Sequence, residues 1–348
     1  MIEFFQYDTE EKRRSLLVRA RKVALLALQQ YDLEWECIQF IQLSDTITFK
    51  IELSWSQRYL LRIHSDRLSK EEICSELALL QAFNKLEDLD VPKGVTSVNG
   101  SYVLEINTED GYRRPYVTMM KWVEGEHMSG ELTDSCVYNM GVMMGKLHEA
   151  AVCFVPPPDF VRPIWGADSF KNEMAKLERY YTRFLSGEAW KAYQAAADKI
   201  LSELAVMHRN NQNYGLIHAD LHTGNMVFID EKPHPIDFGR SGYGYFLYDM
   251  AGTLLELYPK QRWMFIKGYE SIRKLESDYV RHLECFFIMF MMENYCHHAS
   301  DPREIHDLID EQQYAQAYIR EYLNDTPFLF DVIEPVKIDR STIIDTRN

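Results

Sequence analysis

The sequence lacks the features of a secreted or membrane-spanning chain. It has six cysteines in 348 residues, none in a C-x-x-C pair, so we expect reduced cysteines that mostly lie in the core. The longest apolar run, Cys285–Met292, is too short to cross a bilayer as a helix. The first residues, Met1–Asp8, lack the basic start and apolar stretch of a signal peptide. These absences together predict a cytoplasmic protein.

The sequence also lacks an excess of basic residues. It has 38 Lys and Arg against 53 Asp and Glu, which gives a formal net charge of −15. This charge argues against duplex nucleic acid or an anionic membrane as a partner. It tolerates a cationic substrate, although net charge alone also serves solubility. A hydrophobic content of 46% suits one two-part enzyme or two packed domains, and it predicts no oligomeric state.

Residues 214–250 combine two motifs of phosphoryl transfer. His218, Asp220 and Asn225 have the spacing H-x-D-x-x-x-x-N, and the triplet D-F-G follows at Asp237. In such a site, the aspartate that corresponds to Asp220 accepts or orients the proton of a substrate hydroxyl. Asn225 and Asp237 offer oxygen ligands that suit Mg²⁺ on nucleotide phosphates. The pattern therefore predicts Asp220 as the catalytic residue and Asn225 and Asp237 as metal ligands.

Each motif alone has a simpler explanation. His218 would then be a core histidine and Asp237 a turn residue. The segment between the motifs favours the functional interpretation, because Met226–Ile229 is typical of a short strand and residues 231–235 contain two turn-forming prolines. A hairpin in this segment would return the chain from Asn225 toward its starting point at Asp237.

The same residues carry a resemblance to a known family. The chain resembles the aminoglycoside phosphotransferase family, whose relatives include choline and homoserine kinases. Three segments carry the resemblance: the sequence from His218 to Asn225, the later D-F-G, and the Leu-Tyr-Asp-Met-Ala that contains Asp249. The resemblance is most specific over residues 214–252. It implies the α+β bilobal fold of the protein kinases, with a five-stranded antiparallel sheet in a small N-terminal lobe (residues 1–122) and a larger, mainly helical lobe (residues 123–348).

The resemblance also implies an activity and two cofactors. The expected reaction is the ATP-dependent, Mg²⁺-dependent transfer of the γ-phosphoryl group to a hydroxyl of a small molecule. The family's acceptor classes are aminoglycosides, choline, homoserine and sugars, and the sequence does not choose among them.

The family places a cation on the third strand to hold the nucleotide phosphates, paired with a glutamate on the following helix. Arg62 and Glu76 occupy these positions, and guanidinium engages both phosphate and carboxylate through paired hydrogen bonds. An exposed arginine on an edge strand is the alternative for Arg62. Lys50 on the preceding strand is the next candidate for the cation.

The loop that should cover the phosphates has no glycine. It reads Gln42-Leu-Ser-Asp-Thr46, and the backbone and hydroxyls of Ser44 and Thr46 are its candidates for phosphate contact. Asp45 would repel phosphate unless a cation screens it. Met120 and Trp122 lie where the family's hinge binds the nucleotide, although their side chains equally suit packing.

Other residues near the motifs are assigned supporting roles. We expect Asp249 to be a structural anchor that caps the next helix. His218 organises the catalytic loop rather than transferring protons, and His148 is structural. Arg240, directly after D-F-G, either reaches a phosphate or a substrate anion or pairs with an acid.

Hydrophobic periodicity and turn residues predict the remaining elements. We expect a first helix with Thr9 as its N-cap, and helix contact through Gly141 and Gly145. The predicted helices are 9–31, 70–86, 133–150, a pair within 168–210, 250–258, 261–274, 277–299 and 308–324. The predicted strands are 37–42, 46–53, 58–64, 95–98, 101–106 and 116–121, with a turn at 54–57. Residues 331–348 show no clear period.

Two other functions stay open from the sequence. The glycine-free loop favours a catalytically weak scaffold of the spore-coat type, whereas the retained Asp220, Asn225 and Asp237 favour an enzyme. A protein Ser/Thr kinase of the same fold is the third hypothesis. The chain lacks the Ala-Pro-Glu element, and Asp249 follows Asp237 within twelve residues, which leaves no recognisable activation segment. The sequence therefore favours a small-molecule acceptor.

Overall fold

The computed structural model describes residues 2–54, 57–86, 89–108, 111–128 and 130–338. The chain divides into two compact units. Unit 1 consists of Met1–Gly125, Phe154–Arg162 and His234–Gly239, and unit 2 of Glu126–Cys153, Pro163–Pro233 and Arg240–Asn348. The division into domains 1–122 and 123–348 stays a prediction.

The described residues of unit 1 form an antiparallel sheet and two α-helices. Its elements are α1 (Glu10–Leu28), β1 (Trp35–Leu43), β2 (Thr46–Leu53), β3 (Arg58–His64), α2 (Lys70–Phe83), β4 (Lys93–Val95), β5 (Val103–Glu105) and β6 (Tyr116–Lys121). Thr9 is the N-cap of α1, as predicted, and its side chain accepts a hydrogen bond from Lys12 N at 3.2 Å.

The strands of unit 1 follow the order β1-β2-β3-β6-β4, and β5 also pairs with β6. β4 lies opposite Met119–Lys121 and β5 opposite Tyr116–Thr118, so the two short strands lie end to end along one edge of β6. The described sheet therefore has five positions and six strands, because the outer position is shared. The resemblance implied a five-stranded sheet, whereas each of the six predicted strand ranges has a counterpart in the structure.

The two faces of this sheet differ in chemistry. Ile47, Phe49 and Ile51 alternate along β2 and belong to the buried apolar cluster that includes the inner face of α1. The intervening positions are polar: Thr48 lies opposite Arg62, and Arg62 lies opposite Thr118 on β6. Because side chains alternate along a strand, one face forms a hydrophobic core and the other carries the predicted phosphate-binding arginine.

Unit 2 is mainly helical. Its helices are α3 (Asp134–Cys153), α4 (Ala167–Tyr180), α5 (Gly187–Val206), α6 (Phe246–Leu254), α7 (Pro259–Glu270), α8 (Tyr279–His298) and α9 (Ile305–Leu323). Its strands are β7 (Tyr214–Ile217), β8 (Met226–Ile229) and β10 (Gly242–Tyr245), and β9 (Lys232–Pro235) includes residues of both units. Asp230 and Glu231, between β8 and β9, both have positive φ, as in the tightest hairpin turns.

Helices α3 and α7 touch through glycine. A Cβ on Gly141 of α3 would lie 2.0 Å from Phe265 O, and a Cβ on Gly268 of α7 would lie 2.0 Å from Tyr138 O. No side chain fits at either position, because the obstacle is backbone in both cases. The predicted close helix contact at Gly141 is confirmed, with Gly268 as its counterpart.

Several predicted ranges change. β4 begins and ends earlier than 95–98, and the helix predicted over 250–258 is α6, which begins at Phe246. All six cysteines are free, as expected, but Cys37, Cys74 and Cys153 are exposed rather than in the core. Part of the predicted 54–57 turn, Trp55 and Ser56, and residues 339–348 lie outside the described residues. No helix in the described ranges combines the length and apolar character needed to cross a membrane.

Candidate active site

Arg62 and Glu76 form a buried ion pair in unit 1. Nη1 of Arg62 lies 2.5 Å from Oε1 of Glu76, and the two residues are 4% and 2% exposed. Burial alone would raise the pKa of Glu76, but the guanidinium groups of Arg62 and Arg162 outweigh it and hold that pKa below its usual value. The edge-strand alternative for Arg62 is therefore wrong.

His64 lies two residues after Arg62 on the same face of β3. Its Nε2 is 2.9 Å from Thr118 Oγ1. Burial, reinforced by the charge of Arg62, lowers the pKa of His64 to about 3, so the imidazole is neutral at physiological pH. The charges around the buried ion pair consequently come from Arg62, Arg162 and Glu76, and His64 contributes none.

The D-F-G segment belongs to the same centre. A Cβ on Gly239 would lie 3.3 Å from Nη2 of Arg62 and 3.2 Å from Oδ1 of Asp237. Asp237 is exposed and has a φ of 59°, a backbone conformation that aspartate tolerates better than most residues. Phe238 is buried, with its ring 6.2 Å from the ring of Phe83 on α2. Unit 1 thus brings together Arg62, Glu76 and Asp237.

Arg162 fixes the backbone of D-F-G. Its Nη2 donates to Phe238 O at 3.1 Å and to Gly239 O at 2.7 Å, and its Nη1 donates to Glu72 O of α2 at 3.2 Å. Val161 N, its neighbour, donates to Ser75 Oγ at 2.8 Å. This segment therefore ties α2, which carries Glu76, to the loop that carries Asp237.

The other predicted nucleotide residues lie elsewhere on unit 1. Thr46 begins β2, and Ser44 is exposed in the tight turn before it, where Ser44 N donates to Thr46 O at 3.0 Å. Met120 is buried in β6, and Trp122 N donates to Arg58 O at 3.0 Å. The backbone amide of Ser44 is therefore engaged within the turn.

The alternative cation, Lys50, is accounted for by a different partner. Its Nζ lies 2.7 Å from Oε1 of Glu52, two residues along the same strand. Arg62, by contrast, is the cation that borders D-F-G. The structure favours Arg62 over Lys50 for the predicted role.

In unit 2, Asp249 holds the catalytic loop by its backbone. Oδ2 accepts from His218 N at 2.8 Å, and Oδ1 accepts from Ala219 N at 2.7 Å. Ala219 has a φ of 63°, which is strained for a residue with a Cβ. The predicted capping role is wrong, because Asp249 lies inside α6, whose N-cap is Tyr245, and its oxygens face the loop amides.

Buried groups on α3 and α7 support Asp249. Nε2 of His148 on α3 lies 3.1 Å from Asp249 Oδ2, and Nδ1 lies 2.9 Å from the hydroxyl of Tyr269 on α7. Burial opposes the charge of Asp249, but the hydrogen bonds from His148 and from the backbone of His218 hold its pKa below the usual value. His148 contacts Asp249 and Tyr269 instead of the motif residues, in agreement with a structural role.

Asp220 and Asn225 are in direct contact. Nδ2 of Asn225 donates to Asp220 O at 2.9 Å and to Asp220 Oδ2 at 3.2 Å. These two hydrogen bonds orient the Asn225 amide so that its nitrogen faces Asp220 and its oxygen points away from Asp220. The amide oxygen of Asn225 and the carboxylate of Asp237 are each a hard oxygen donor of the type that Mg²⁺ prefers.

Arg240 lies next to Asp220. Its Nη1 is 3.9 Å from Asp220 Oδ1, and its guanidinium carbon is 4.7 Å from the centre of the Trp165 ring. Of the two alternatives for Arg240, the pairing with an acid is therefore observed.

A buried carboxylate, Glu293 of α8, completes this part of unit 2. The hydroxyl of Tyr248 donates to Glu293 Oε2 at 2.5 Å, and the Tyr248 ring stacks on Trp165. Burial raises the pKa of Glu293 to about 7. Among the described residues, its Oε1 has no hydrogen-bond partner.

A cavity of about 770 Å³ borders the catalytic loop of unit 2. Thr223 and Gly224, which precede Asn225, line it together with Glu131, Glu256 and Tyr258. Oε2 of Glu256 accepts from Thr223 N at 2.7 Å. The volume of the cavity is in the range of binding sites for small molecules.

Sequence reasoning missed Arg162, Trp165, Tyr248 and Glu293. Two of them carry a signal in the sequence. Arg162 lies between apolar residues and proline, and Glu293 directly follows the apolar run that ends at Met292. A charge in such surroundings requires a partner when it is buried, whereas nothing local marks Trp165 or Tyr248.

Comparisons with known proteins identify the family of this chain. The model of the phosphotransferase enzyme family matches residues 42–282, which is more than half of the chain. The chain belongs to this family. It is a small-molecule kinase, and the predicted resemblance and protein-kinase-like fold are confirmed.

Individual relatives are distant. The chain is 24% identical over 258 residues to amicoumacin kinase of Bacillus subtilis (strain 168), across 74% of this chain and 72% of that protein. A structure of amicoumacin kinase in complex with AMP-PNP, Ca²⁺ and Ami has a TM-score of 0.74 at 20% identity, covering 90% of this chain and 96% of that one. The microcompartment-associated aminopropanol kinase has a TM-score of 0.76 at 23% identity, covering 89% and 99%.

Proposed function

We propose that this protein transfers the γ-phosphoryl group of ATP to a hydroxyl of a small molecule. The observation that carries the proposal is the partly exposed carboxylate of Asp220, which Asn225 contacts and Asp249 positions through the loop backbone. A carboxylate held in this way is suited to receive a proton. We place the activity in the cytoplasm, as expected from the sequence.

In the proposed reaction, Asp220 accepts the proton of the acceptor hydroxyl while that oxygen attacks the γ-phosphorus. The bond between the γ-phosphorus and the β–γ bridging oxygen breaks, and ADP leaves. Arg62, held by Glu76, binds the nucleotide phosphates through its guanidinium. Thr46, Met120 and Trp122 remain candidates for further nucleotide contacts.

Asn225 and Asp237 are the proposed ligands of Mg²⁺. When bound, the ion neutralises phosphate oxygens and so lowers the barrier to transfer. Asp237 contributes a charged oxygen and Asn225 a neutral one. In this proposal Asp237 is the more important ligand, because a hard dication gains most from a carboxylate.

The proposed acceptor class rests on the relatives and on the net charge of the chain. The relatives named above act on amicoumacin and aminopropanol, and a spectinomycin phosphotransferase with a TM-score of 0.56 and 13% identity was solved with ADP and spectinomycin. The net charge of −15 tolerates a cationic acceptor. We propose a hydroxylated metabolite or antibiotic as the acceptor.

Two substitutions test the proposal. Asp220→Asn should lower kcat by about 10²–10⁴-fold and leave MgATP affinity largely intact, because it removes only the proton acceptor. Asp237→Ala should instead abolish Mg²⁺-dependent nucleotide binding. The assays are ADP release with a panel of hydroxylated metabolites and calorimetric titration of MgATP. Wild-type turnover in Asp220→Asn contradicts the role of Asp220, and unchanged affinity in Asp237→Ala contradicts that of Asp237.

A catalytically weak scaffold is the second candidate function. The turn at Ser44 favours it, because Ser44 N donates to Thr46 O and Asp45 is exposed beside it. A loop of this kind offers phosphate fewer amides than a glycine-rich loop. The absence of a thermal shift with ATP and Mg²⁺ would support the scaffold and contradict the enzyme.

A further inference from the structure

Trp165 forms a fixed platform in unit 2. Trp165 N donates to Tyr243 O at 2.7 Å, and the indole Nε1 donates to Arg240 O at 3.0 Å. Tyr243 N in turn donates to Pro163 O at 2.8 Å. A Cβ on Gly242 would lie 2.4 Å from Pro163 O and 3.0 Å from the indole Nε1, so the strand and the platform are in close contact. These contacts fix the indole relative to Arg240.

Arg240 lies on this platform beside the proposed base. Its guanidinium carbon is 4.7 Å from the Trp165 ring centre, and its Nη1 is 3.9 Å from Oδ1 of Asp220. The latter distance exceeds a hydrogen bond, so the pair interacts through charge. The side chains of Arg240 and Asp220 are 32% and 26% exposed, which lets a small molecule contact both.

The buried carboxylate of Glu293 interacts with the charge of Arg240. Glu293 is 5% exposed and accepts a hydrogen bond from Tyr248. Burial raises the pKa of Glu293 to about 7, so it is partly protonated at neutral pH. The carboxylate of Asp220 lies beside Arg240 and is partly exposed, and the acceptor hydroxyl approaches its oxygens in the proposed reaction.

We propose that Arg240, supported by Trp165, binds an anionic group of the acceptor next to the reacting hydroxyl, and that the acceptor is a hydroxycarboxylate. The inference rests on the proposed function, because it assumes that Asp220 receives the hydroxyl proton. It holds whether or not the acceptor carries an amine at another position.

The chemistry of Arg240 selects a carboxylate among the anions. Guanidinium binds carboxylate and phosphate alike through two parallel hydrogen bonds. A phosphate ester would bring close to two negative charges to a site that already gathers the nucleotide phosphates, whereas a carboxylate brings one. The smaller charge fits better beside Asp220.

The experiment compares acceptors that differ in one group. Glycerate, glyceramide and 3-amino-1,2-propanediol share a hydroxylated three-carbon skeleton and differ in carrying a carboxylate, an amide or an amine. Hydroxyalkyl compounds of four carbons with the same three groups extend the series. ADP release with MgATP gives kcat/KM, and phosphorus NMR identifies the product. Hydrogen bonds between charged groups predict a preference of about 10- to 100-fold for the carboxylate over the amide. The amine should be poorest, because its charge repels Arg240.

Variants of Arg240 then assign the preference. Arg240→Gln should remove the preference for carboxylate over amide, because it raises KM for the carboxylates and changes KM little for the amides. Arg240→Lys should restore part of it, because lysine keeps the charge but loses the paired geometry. Arg281→Gln, at an exposed arginine of α8, is the matched control. It should leave kcat/KM unchanged for the carboxylate, the amide and the amine. Thermal unfolding of each variant checks that the fold is retained.

Several results would overturn the assignment. An equal loss for carboxylate, amide and amine in Arg240→Gln would mean that Arg240 acts on the transferred phosphoryl group instead. A wild-type preference for the amine, or a wild-type protein that binds MgATP but neither binds nor phosphorylates any carboxylate of the series, would also contradict it and leave the proposed function intact. A failure to bind MgATP would contradict the proposed function and this inference with it.

Discussion

The centres of the two units stabilise their buried carboxylates in different ways. In unit 1, Glu76 is balanced by the positive charges of Arg62 and Arg162. In unit 2, Asp249 is balanced by three hydrogen-bond donors, two of them backbone amides and the third a histidine. Among the described residues, Glu293 of unit 2 accepts one hydrogen bond, from Tyr248.

The comparison shows that the partners of a buried carboxylate decide its charge more than burial does. All three carboxylates are buried, yet the pKa of Glu76 and of Asp249 is lowered whereas that of Glu293 is raised to about 7. Cationic partners or several donors offset the loss of solvation, and one hydroxyl does not. The three predictions below test this rule at each carboxylate.

The largest effect is expected from breaking the ion pair. Arg62→Met should lower the free energy of unfolding by about 3–5 kcal/mol, because it leaves Glu76 charged and buried beside an apolar side chain. The double variant Arg62→Met/Glu76→Leu should recover most of this loss. Urea denaturation measures both.

The matched control for Arg62 is on the same strand. Arg58 of β3 pairs with Glu124 at the surface, and Arg58→Met should cost at most about 1 kcal/mol. A loss at Arg58 equal to that at Arg62, or a double variant no more stable than Arg62→Met, would contradict the role of buried charge compensation.

A pH-dependent effect is expected at Glu293. Its pKa rises from 4.5 in the unfolded chain to about 7 in the fold, so its contribution to stability is fully present below pH 4.5 and is lost as the pH rises through 7. This difference corresponds to about 3 kcal/mol. Glu293→Gln should therefore match the wild type best near pH 4.5 and exceed it in stability above pH 7.

Chemical denaturation across this pH range measures the Glu293 effect. Glu188→Gln, at the exposed start of α5, is the control and should give a difference that varies little with pH. If the difference between Glu293→Gln and the wild type is the same at pH 5 and pH 8, Glu293 keeps an ordinary pKa and the rule does not hold there.

The smallest effect on stability is expected at Asp249. Asp249→Asn should lower the free energy of unfolding by about 1–3 kcal/mol at pH 7, because the amide replaces one acceptor oxygen by a donor and leaves a loop N–H without its bond. The lowered pKa of Asp249 places its pH dependence on the acidic side, where stability is lost as the pH falls.

Activity should fall further than stability in Asp249→Asn, because the loop carries Asp220. The fully exposed Asp168 of α4 offers the control Asp168→Asn, which should change neither property. Full activity in Asp249→Asn together with normal stability would show that the loop keeps its position without this carboxylate.

Much of the fold and of the motif residues could be predicted from local patterns. The ends of β2, β3 and β6 match the predicted ranges, because alternating residues and turn residues mark them. The contacts of Arg162, Trp165 and Glu293 could not be predicted in this way, since their partners are distant in sequence. Asp249 is a structural anchor, as predicted, but its predicted capping of the next helix was wrong for the same reason: a capping aspartate and a loop-binding aspartate look alike until the distant amides are placed.

The glycine contact between α3 and α7 has an evolutionary consequence. α3 carries His148 and α7 carries Tyr269, and these two residues support Asp249. In a saturation mutagenesis scan, Gly141 and Gly268 should therefore tolerate replacement as poorly as active-site residues, although neither bears a functional group. A new acceptor preference should evolve around these two positions and leave them unchanged.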